Sequence, residues 1–381
     1  MIPDLKKNVE AVMKDRTGAP GKGLDVLLRG AAKLYGGVVD LRSRLYDRGA
    51  LKTSTLPCKV VSIGNITVGG TGKTPMTIFL ADSLKRKHIK PVILSRGYGG
   101  TATDSGGMVT DGQTLAMDSV CSGDEPFLMA SLLEGVPVFV GKRRMESAME
   151  ACLRFHPDVF ILDDGFQHRA LHRDVDILLF DAEHPLGNGF LLPRGELREP
   201  VSNLERGDLF VLTRAERRDI ALKHFRECLE RFKVSEKVRK TPVFTCRHKP
   251  AIRGVVKAGS SVLGGWDVDQ SGYGDSGVIA FSGIAKNDDF RKSLSACGFS
   301  VRGFLDYPDH HAFSTKDIET AARMADSRGV RLLSTTEKDF VRFQDRIILS
   351  HDLVVMGVDI DFHHDDGQML LDDVLGRLAL P

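Results

Sequence analysis

The 381-residue chain carries 53 Lys and Arg against 51 Asp and Glu, with 42% hydrophobic and 27% charged residues. These proportions exclude a disordered polyelectrolyte, a collagen-like repeat and a coiled coil, and they describe a soluble globular protein. At roughly 150 residues per domain, the length predicts about two domains.

The net charge of +2 is unevenly spread, because residues 1–52 hold eleven Lys/Arg and six Asp/Glu and are +5 on their own. Basic charge is confined to that segment, with no interleaving of aromatic and basic residues, so nucleic acid is not an expected partner. The six cysteines, Cys58, Cys121, Cys152, Cys228, Cys246 and Cys297, include no C-x-x-C pair and read as isolated thiols of a reducing compartment. No secretory h-region and no run of ~18 apolar residues is present. The expectation is a cytosolic protein, or one attached to the inner face of a membrane.

In chain order, residues 24–46 place apolar side chains three or four apart with Arg29, Lys33, Arg42 and Arg44 between them. That spacing predicts an amphipathic helix, either packed on the protein or seated among anionic lipids, with Gly36-Gly37 interrupting it. Apolar runs at 59–64, 91–95, 137–141, 159–163, 176–181 and 209–213 alternate with helical segments. Continuous rather than alternating apolar runs suit strands covered on both faces. A charged helical stretch spans 215–240. A second set of strands is predicted near 243–247, 278–283, 330–335 and 353–360, with helices at 287–297 and 314–328. Residues 254–277, rich in Gly and Ser, are expected to form a mobile surface loop.

The segment Gly64-Asn-Ile-Thr-Val-Gly-Gly-Thr-Gly-Lys-Thr-Pro75 lies between a predicted strand and a helix. Phosphate-binding loops need glycines so that backbone N–H groups can close on phosphate oxygens, a Lys for the β/γ-phosphates and a hydroxyl for Mg²⁺. Gly69, Gly70, Thr71, Gly72, Lys73 and Thr74 meet that need, although Thr67 stands where the usual pattern has its first glycine. The fold expected is α/β: a P-loop NTPase-like, doubly wound, mostly parallel sheet with a second, smaller α/β lobe. Expected boundaries are 1–50 for the basic helix, 51–235 for the P-loop core and 236–381 for the second lobe.

Asp163 and Asp164 end an apolar run and are the expected Mg²⁺ carboxylates. Asp124 and Glu125, in Gly123-Asp-Glu-Pro126, read either as acids at a helix start or as the carboxylate a kinase uses on its acceptor hydroxyl. Asp306-Tyr-Pro-Asp-His310-His311 suggests metal binding, proton transfer or simple solvation, and His363-His-Asp-Asp366 reads as surface. Loop 187–200, with Arg194 and Arg198, reads equally as an ordinary loop or as one that suits a partly apolar, partly anionic ligand, and Ser95-Arg-Gly-Tyr98-Gly-Gly100 is a similar loop. A regulatory GTPase would carry Asn-Lys-x-Asp after a late strand; Thr336-Glu-Lys-Asp339 does not.

Together, GNITVGGTGKTP, SRGYGG, GDEP, DDGFQH, PRGELREP, DHH and TEKD resemble, in order, the motifs of tetraacyldisaccharide 4'-kinases, lipid A pathway enzymes of Gram-negative bacteria. The likeness runs from about residue 24 to beyond 340. It implies transfer of the γ-phosphate of ATP, with Mg²⁺, to the 4'-hydroxyl of an acylated glucosamine disaccharide phosphate, giving lipid IVA. It further implies that Lys73 and Thr74 act on nucleotide phosphates and Mg²⁺, and that Glu125 assists with the metal. Asp124 becomes the base, paired with His310 or His311. Arg144, Arg198 and Tyr98 become contacts to the disaccharide substrate. The N-terminal helix becomes a peripheral anchor on the cytoplasmic face of the inner membrane.

Overall fold

The structure is a computed structural model that describes residues 9, 11–13, 22–259, 276–344 and 349–380. Its first strands are β1 (Lys59–Gly64), β2 (Pro91–Ser95), β3 (Gly107–Thr110), β4 (Val138–Val140), β5 (Val159–Asp163) and β6 (Val175–Asp181). The later ones are β7 (Leu209–Thr213), β8 (Val243–Val256), β9 (Gly277–Ser282), β10 (Ser300–Asp306), β11 (Leu332–Thr336) and β12 (Asp352–Phe362). Contacts cluster differently from a linear division at residues 50 and 235. Unit 1 takes 1–96, 143–248 and 360–381, and unit 2 takes 97–142 and 249–359.

In unit 1 the strand order is β8-β7-β6-β1-β5-β2, with every described pair parallel. The central strands are buried end to end, which is why their sequences are continuously apolar. Phe180, Phe210 and Phe225 pack as a ring cluster with centroids 4.9–6.1 Å apart. Each buried ring stabilises the unit by about 2–3 kcal/mol. Register sets Ile63 beside Asp163 and Asp181 beside Thr213. The carboxyl ends of these strands therefore lie level, where doubly wound sheets bind ligands.

Helix α1 (Lys22–Asp47) runs unbroken through Gly36-Gly37, so the predicted interruption is absent. Gly36 serves close approach instead: a Cβ there would lie 2.7 Å from Leu191 Cδ1. Leu28 and Ala32 are buried, whereas Val26, Leu27, Leu34, Val38, Leu41 and Leu45 are exposed. The helix thus has an apolar packed side and a second, uncovered apolar row. Helix α2 (Lys73–Arg86) follows the glycine turn after β1.

Unit 2 carries β10-β9-β11-β12, all parallel, and an antiparallel β3-β4 pair. Strands β3 and β10 escaped the sequence reading; β3 is four residues long, and β10 is only partly buried and shifts register between Val301 and Gly303. Helix α3 (Asp124–Leu132) packs Phe127 and Leu128 on Val341. Helix α4 (Thr315–Ser327) opens with a capping box between Ser314 and Asp317, and the short α5 (Glu337–Phe340) is capped by Thr336.

Two expectations need correction. Residues 254–256 belong to β8, not to a loop; the rest of the Gly/Ser-rich stretch lies mostly outside the described residues. Asp366 is buried, not a surface group: its Oδ2 accepts from Thr245 N–H and Thr245 Oγ1, each at 2.8 Å.

Candidate active site

The turn after β1 is shaped by two residues with positive φ, Gly69 (107°) and Gly72 (84°), a region costly for any side chain. Thr67 needs no such freedom. It bridges antiparallel to Leu197, and Val68 N–H donates to Glu196 O at 2.7 Å. The departure from the usual phosphate-loop spelling thus falls where the chain pairs with loop 187–200. Gly64 is also forced, since a Cβ there would lie 2.6 Å from Phe166 Cβ.

Side chains from neighbouring strand ends brace the turn. Asn65 Nδ2 donates to Thr71 Oγ1 at 2.9 Å, Thr213 Oγ1 donates to Thr71 O at 2.9 Å, and Arg214 Nη1 donates to Gly70 O at 2.7 Å. Arg214 is held in turn by Asp181, 2.8 Å away. Sequence reading missed Asn65, Thr213 and Arg214. Asn65 had a signal, as a polar residue within the glycine motif itself, and the structure buries it.

Lys73 Nζ lies 3.7 Å from Asp164 Oδ1 and 3.4 Å from Asn65 Oδ1. The sequence-predicted meeting of lysine and strand-end acid therefore exists. Asp164, at φ 48°, accepts from Arg198 Nη1 on both oxygens, at 3.1 and 2.9 Å. Burial would raise its pKa, but Lys73, Arg198 and Arg144 outweigh that and hold it below the ordinary carboxylate range. Asp163 has different surroundings: it is buried and accepts from Thr77 Oγ1 at 3.2 Å and Ser95 Oγ at 3.3 Å.

Among the described residues no three His, Cys, Asp or Glu gather as a metal cage. Hard oxygens at Thr74, Asp163 and Asp164 suit Mg²⁺, which is bound through one or two carboxylates and completed by phosphate and water. Glu125 belongs to unit 2, where Lys338 Nζ holds it at 2.9 Å.

The three expected substrate contacts have different surroundings. Arg144 is buried, and its Nη2 donates to the carbonyls of Asp163 at 2.8 Å and Asp164 at 3.4 Å. It shapes the strand end. Arg198 is a quarter exposed beside Asp164, and Tyr98 in unit 2 is 76% exposed. Arg194, read from sequence as a ligand group, is instead buried. It pairs with Asp25 of α1, donates to Val12 O and lies over the Phe190 ring. His168 is surrounded by Arg144, Arg173, Arg42 and Arg96, and burial together with these charges pushes its pKa down to about 4.

Unit 2 collects the other candidates. Gly123, at φ 89°, would with a Cβ meet Tyr98 O at 2.7 Å, and it starts α3 with Asp124 and Glu125 in its first turn. Asp124 Oδ2 lies 3.4 Å from His310 Nδ1 and 2.7 Å from Arg342 Nε. The alternative left open by sequence is thereby narrowed. His311 is not brought to Asp124; its Nε2 lies 3.2 Å from Asp317 Oδ2 and its ring stacks on Tyr307. In the segment without the guanine signature, Lys338 is committed to Glu125 and the fully buried Asp339 to Arg342. Arg342 was missed because nothing in TEKDFVR marks it apart from an ordinary surface cation.

The chain matches the family model described as tetraacyldisaccharide-1-P 4'-kinase over residues 24–376. It is 38% identical over 370 residues, 95% of each chain, to the tetraacyldisaccharide 4'-kinase of Desulfatibacillum aliphaticivorans. Identity to that of Syntrophus aciditrophicus (strain SB) is 40% over 309 residues, 80% of each chain. A crystal structure of LpxK from Aquifex aeolicus in complex with ATP superposes with a TM-score of 0.70. It is 31% identical, with 93% of this chain and 99% of that one covered.

Proposed function

This chain belongs to the tetraacyldisaccharide 4'-kinase family, and we propose that it moves the γ-phosphate of ATP to the 4'-hydroxyl of an acylated glucosamine disaccharide 1-phosphate at a membrane surface. The observation that carries the reading is the Lys73–Asp164 pair beside a glycine turn at the level carboxyl ends of parallel strands.

Phosphoryl transfer asks a protein mainly to position groups and neutralise charge. In this reading the N–H groups of residues 69–74 and the Lys73 ammonium bind the phosphates. Thr74 and one or both of Asp163 and Asp164 hold Mg²⁺, which when bound supplies charge neutralisation on the phosphate oxygens. Arg144 keeps the strand end shaped for this, and Arg198 balances Asp164 and offers a cation to the substrate phosphate. Asp124 accepts the proton of the attacking hydroxyl, and His310 orients it.

The membrane half of the proposal rests on α1. No helix among the described residues is long and apolar enough to cross a membrane. The exposed row Val26, Leu27, Leu34, Val38, Leu41 and Leu45, with Lys33, Arg44 and Arg48 nearby, has the composition of a helix lying in a lipid interface. Attachment at the cytoplasmic face follows if ATP is the donor.

The test is incubation with labelled ATP and tetraacyldisaccharide 1-phosphate, followed by mass analysis. One added phosphate on the acceptor is expected. ATP hydrolysis with an unmodified acceptor would overturn the proposal.

A further inference from the structure

We propose that Arg342 is a positioning residue for the transfer, fixing Asp124 so that its unengaged oxygen faces the acceptor hydroxyl; this rests on the reading of Asp124 as the base. Among the described residues of unit 2, Arg342 alone touches both members of the Asp124–His310 pair and also the scaffold behind them. Its Nε donates to Asp124 Oδ2 at 2.7 Å, a closer contact than the 3.4 Å from His310. Both contacts fall on Oδ2, and Oδ1 takes part in neither.

The far side of the guanidinium is fixed. Nη1 donates to Asp339 Oδ1 at 2.6 Å and to Gly283 O at 3.1 Å. Asp339 is itself locked: its Oδ2 accepts from Gly283 N–H at 3.0 Å and Thr336 Oγ1 at 2.8 Å. Arg342 is 6% exposed and Asp339 0%, against 22% for Asp124 and 49% for His310. The set therefore runs from a rigid interior to an accessible carboxylate.

Arg342 also constrains His310. Its Nη2 lies 3.3 Å from His310 Nδ1. A guanidinium only donates, so an Nδ1 that accepts from Arg342 cannot at the same moment donate to Asp124. The same ring nitrogen therefore either accepts from Arg342 or donates to Asp124, while the 2.7 Å contact from Arg342 Nε holds the carboxylate in both cases. The arrangement fixes the orientation of the carboxylate, and phosphoryl transfer depends on alignment.

A merely structural Asp339–Arg342 pair would affect folding but not the split between kcat and KM. The experiment measures steady-state kcat and KM, with thermal melts, for Arg342→Gln, Arg342→Lys, Asp124→Asn and the Asp124→Asn/Arg342→Gln double variant. Expected for Arg342→Gln is a kcat lower by about 10- to 100-fold with KM for ATP within about twofold, and for Arg342→Lys an intermediate kcat. The double variant should be no slower than Asp124→Asn alone, because Arg342 acts through Asp124. A kcat within twofold of wild type in Arg342→Gln, or a multiplicative loss in the double variant, overturns the proposal. If Arg342→Gln does not fold, Arg342→Lys decides: a kcat about 3- to 10-fold lower at unchanged KM supports it, and an unchanged kcat overturns it. Near-normal turnover in Asp124→Asn sinks the underlying reading of the base and this proposal with it. A large loss there beside an unaffected Arg342→Gln sinks this proposal alone.

Discussion

The phosphate turn of unit 1 and the carboxylate cluster of unit 2 are built in opposite ways. The turn is mostly backbone, shaped by Gly69 and Gly72 and braced at Gly70 and Thr71 by Arg214 and Thr213. The cluster is side chain upon side chain, drawn from Asp124, His310, Asp339 and Arg342. Backbone N–H groups suit a ligand already charged, while an adjustable carboxylate suits an alcohol whose charge develops during reaction. With the roles proposed above, the difference teaches that binding and activation are separable, and the sharpest way to break that lesson is to remove one member of each. Asp124→Asn should lower kcat by about 10²- to 10⁴-fold and leave ATP affinity within about threefold. Lys73→Ala should lose nucleotide affinity as well as turnover. Equal losses of ATP affinity in the two, measured by calorimetry, would erase the distinction.

A smaller effect separates two arginines within unit 1. Arg144 is buried on the carbonyls of Asp163 and Asp164, whereas Arg198 pairs with a carboxylate at the surface. Arg144→Met leaves those carbonyls without their buried donor and should cost about 2–4 kcal/mol of stability. Arg198→Ala removes a partly exposed ion pair and should cost less than about 1 kcal/mol while lowering kcat/KM. Thermal melts set beside kinetics decide. If Arg144→Met melts like wild type and loses only affinity for the acylated disaccharide, Arg144 is a substrate contact as the family likeness implied.

The same contrast explains what could be read from sequence. Five strands of unit 1, β1, β2, β5, β6 and β7, and its glycine turn were legible because buried parallel strands need unbroken apolar runs and a phosphate turn needs glycines at fixed offsets. The Asp163-Asp164 pair was legible because two adjacent acids close a buried apolar run. Their division of labour was not, because it depends on Thr77, Ser95, Arg198 and Lys73 arriving from elsewhere. Asp124 stood in the sequence as one of two open readings, a helix-start acid or the carboxylate acting on an acceptor hydroxyl, and only the family likeness favoured the second, since acids in a first helical turn are commonplace. Arg342 and the choice of His310 over His311 needed coordinates, as they follow from chain segments about 190–220 residues apart meeting at one carboxylate oxygen. Strands β3 and β10 were missed for a related reason: short or polar sheet edges carry little apolar pattern.

The smallest expected effect belongs to His168 and tests the cationic character of unit 1 without touching turnover. Burial and the charges of Arg144, Arg173, Arg42 and Arg96 hold its pKa down at about 4, against ~6.5 in an unfolded chain. Between those values the unfolded chain binds a proton that the folded chain refuses. Stability from this group is therefore complete above ~6.5 and falls as the pH drops towards 4. Allowing for the partial exposure of the ring, the loss from about pH 7.5 to about pH 5 should be about 1–2 kcal/mol. Other groups titrate in the same window, so the informative quantity is the difference between wild type and His168→Asn, whose side chain never charges. Urea denaturation at both pH values should show the wild type losing more stability than the variant. Equal losses would mean that the arginines around His168 are screened well enough for the ring to protonate in the folded protein, and unit 1 would then be a weaker anion trap than its arginine count suggests.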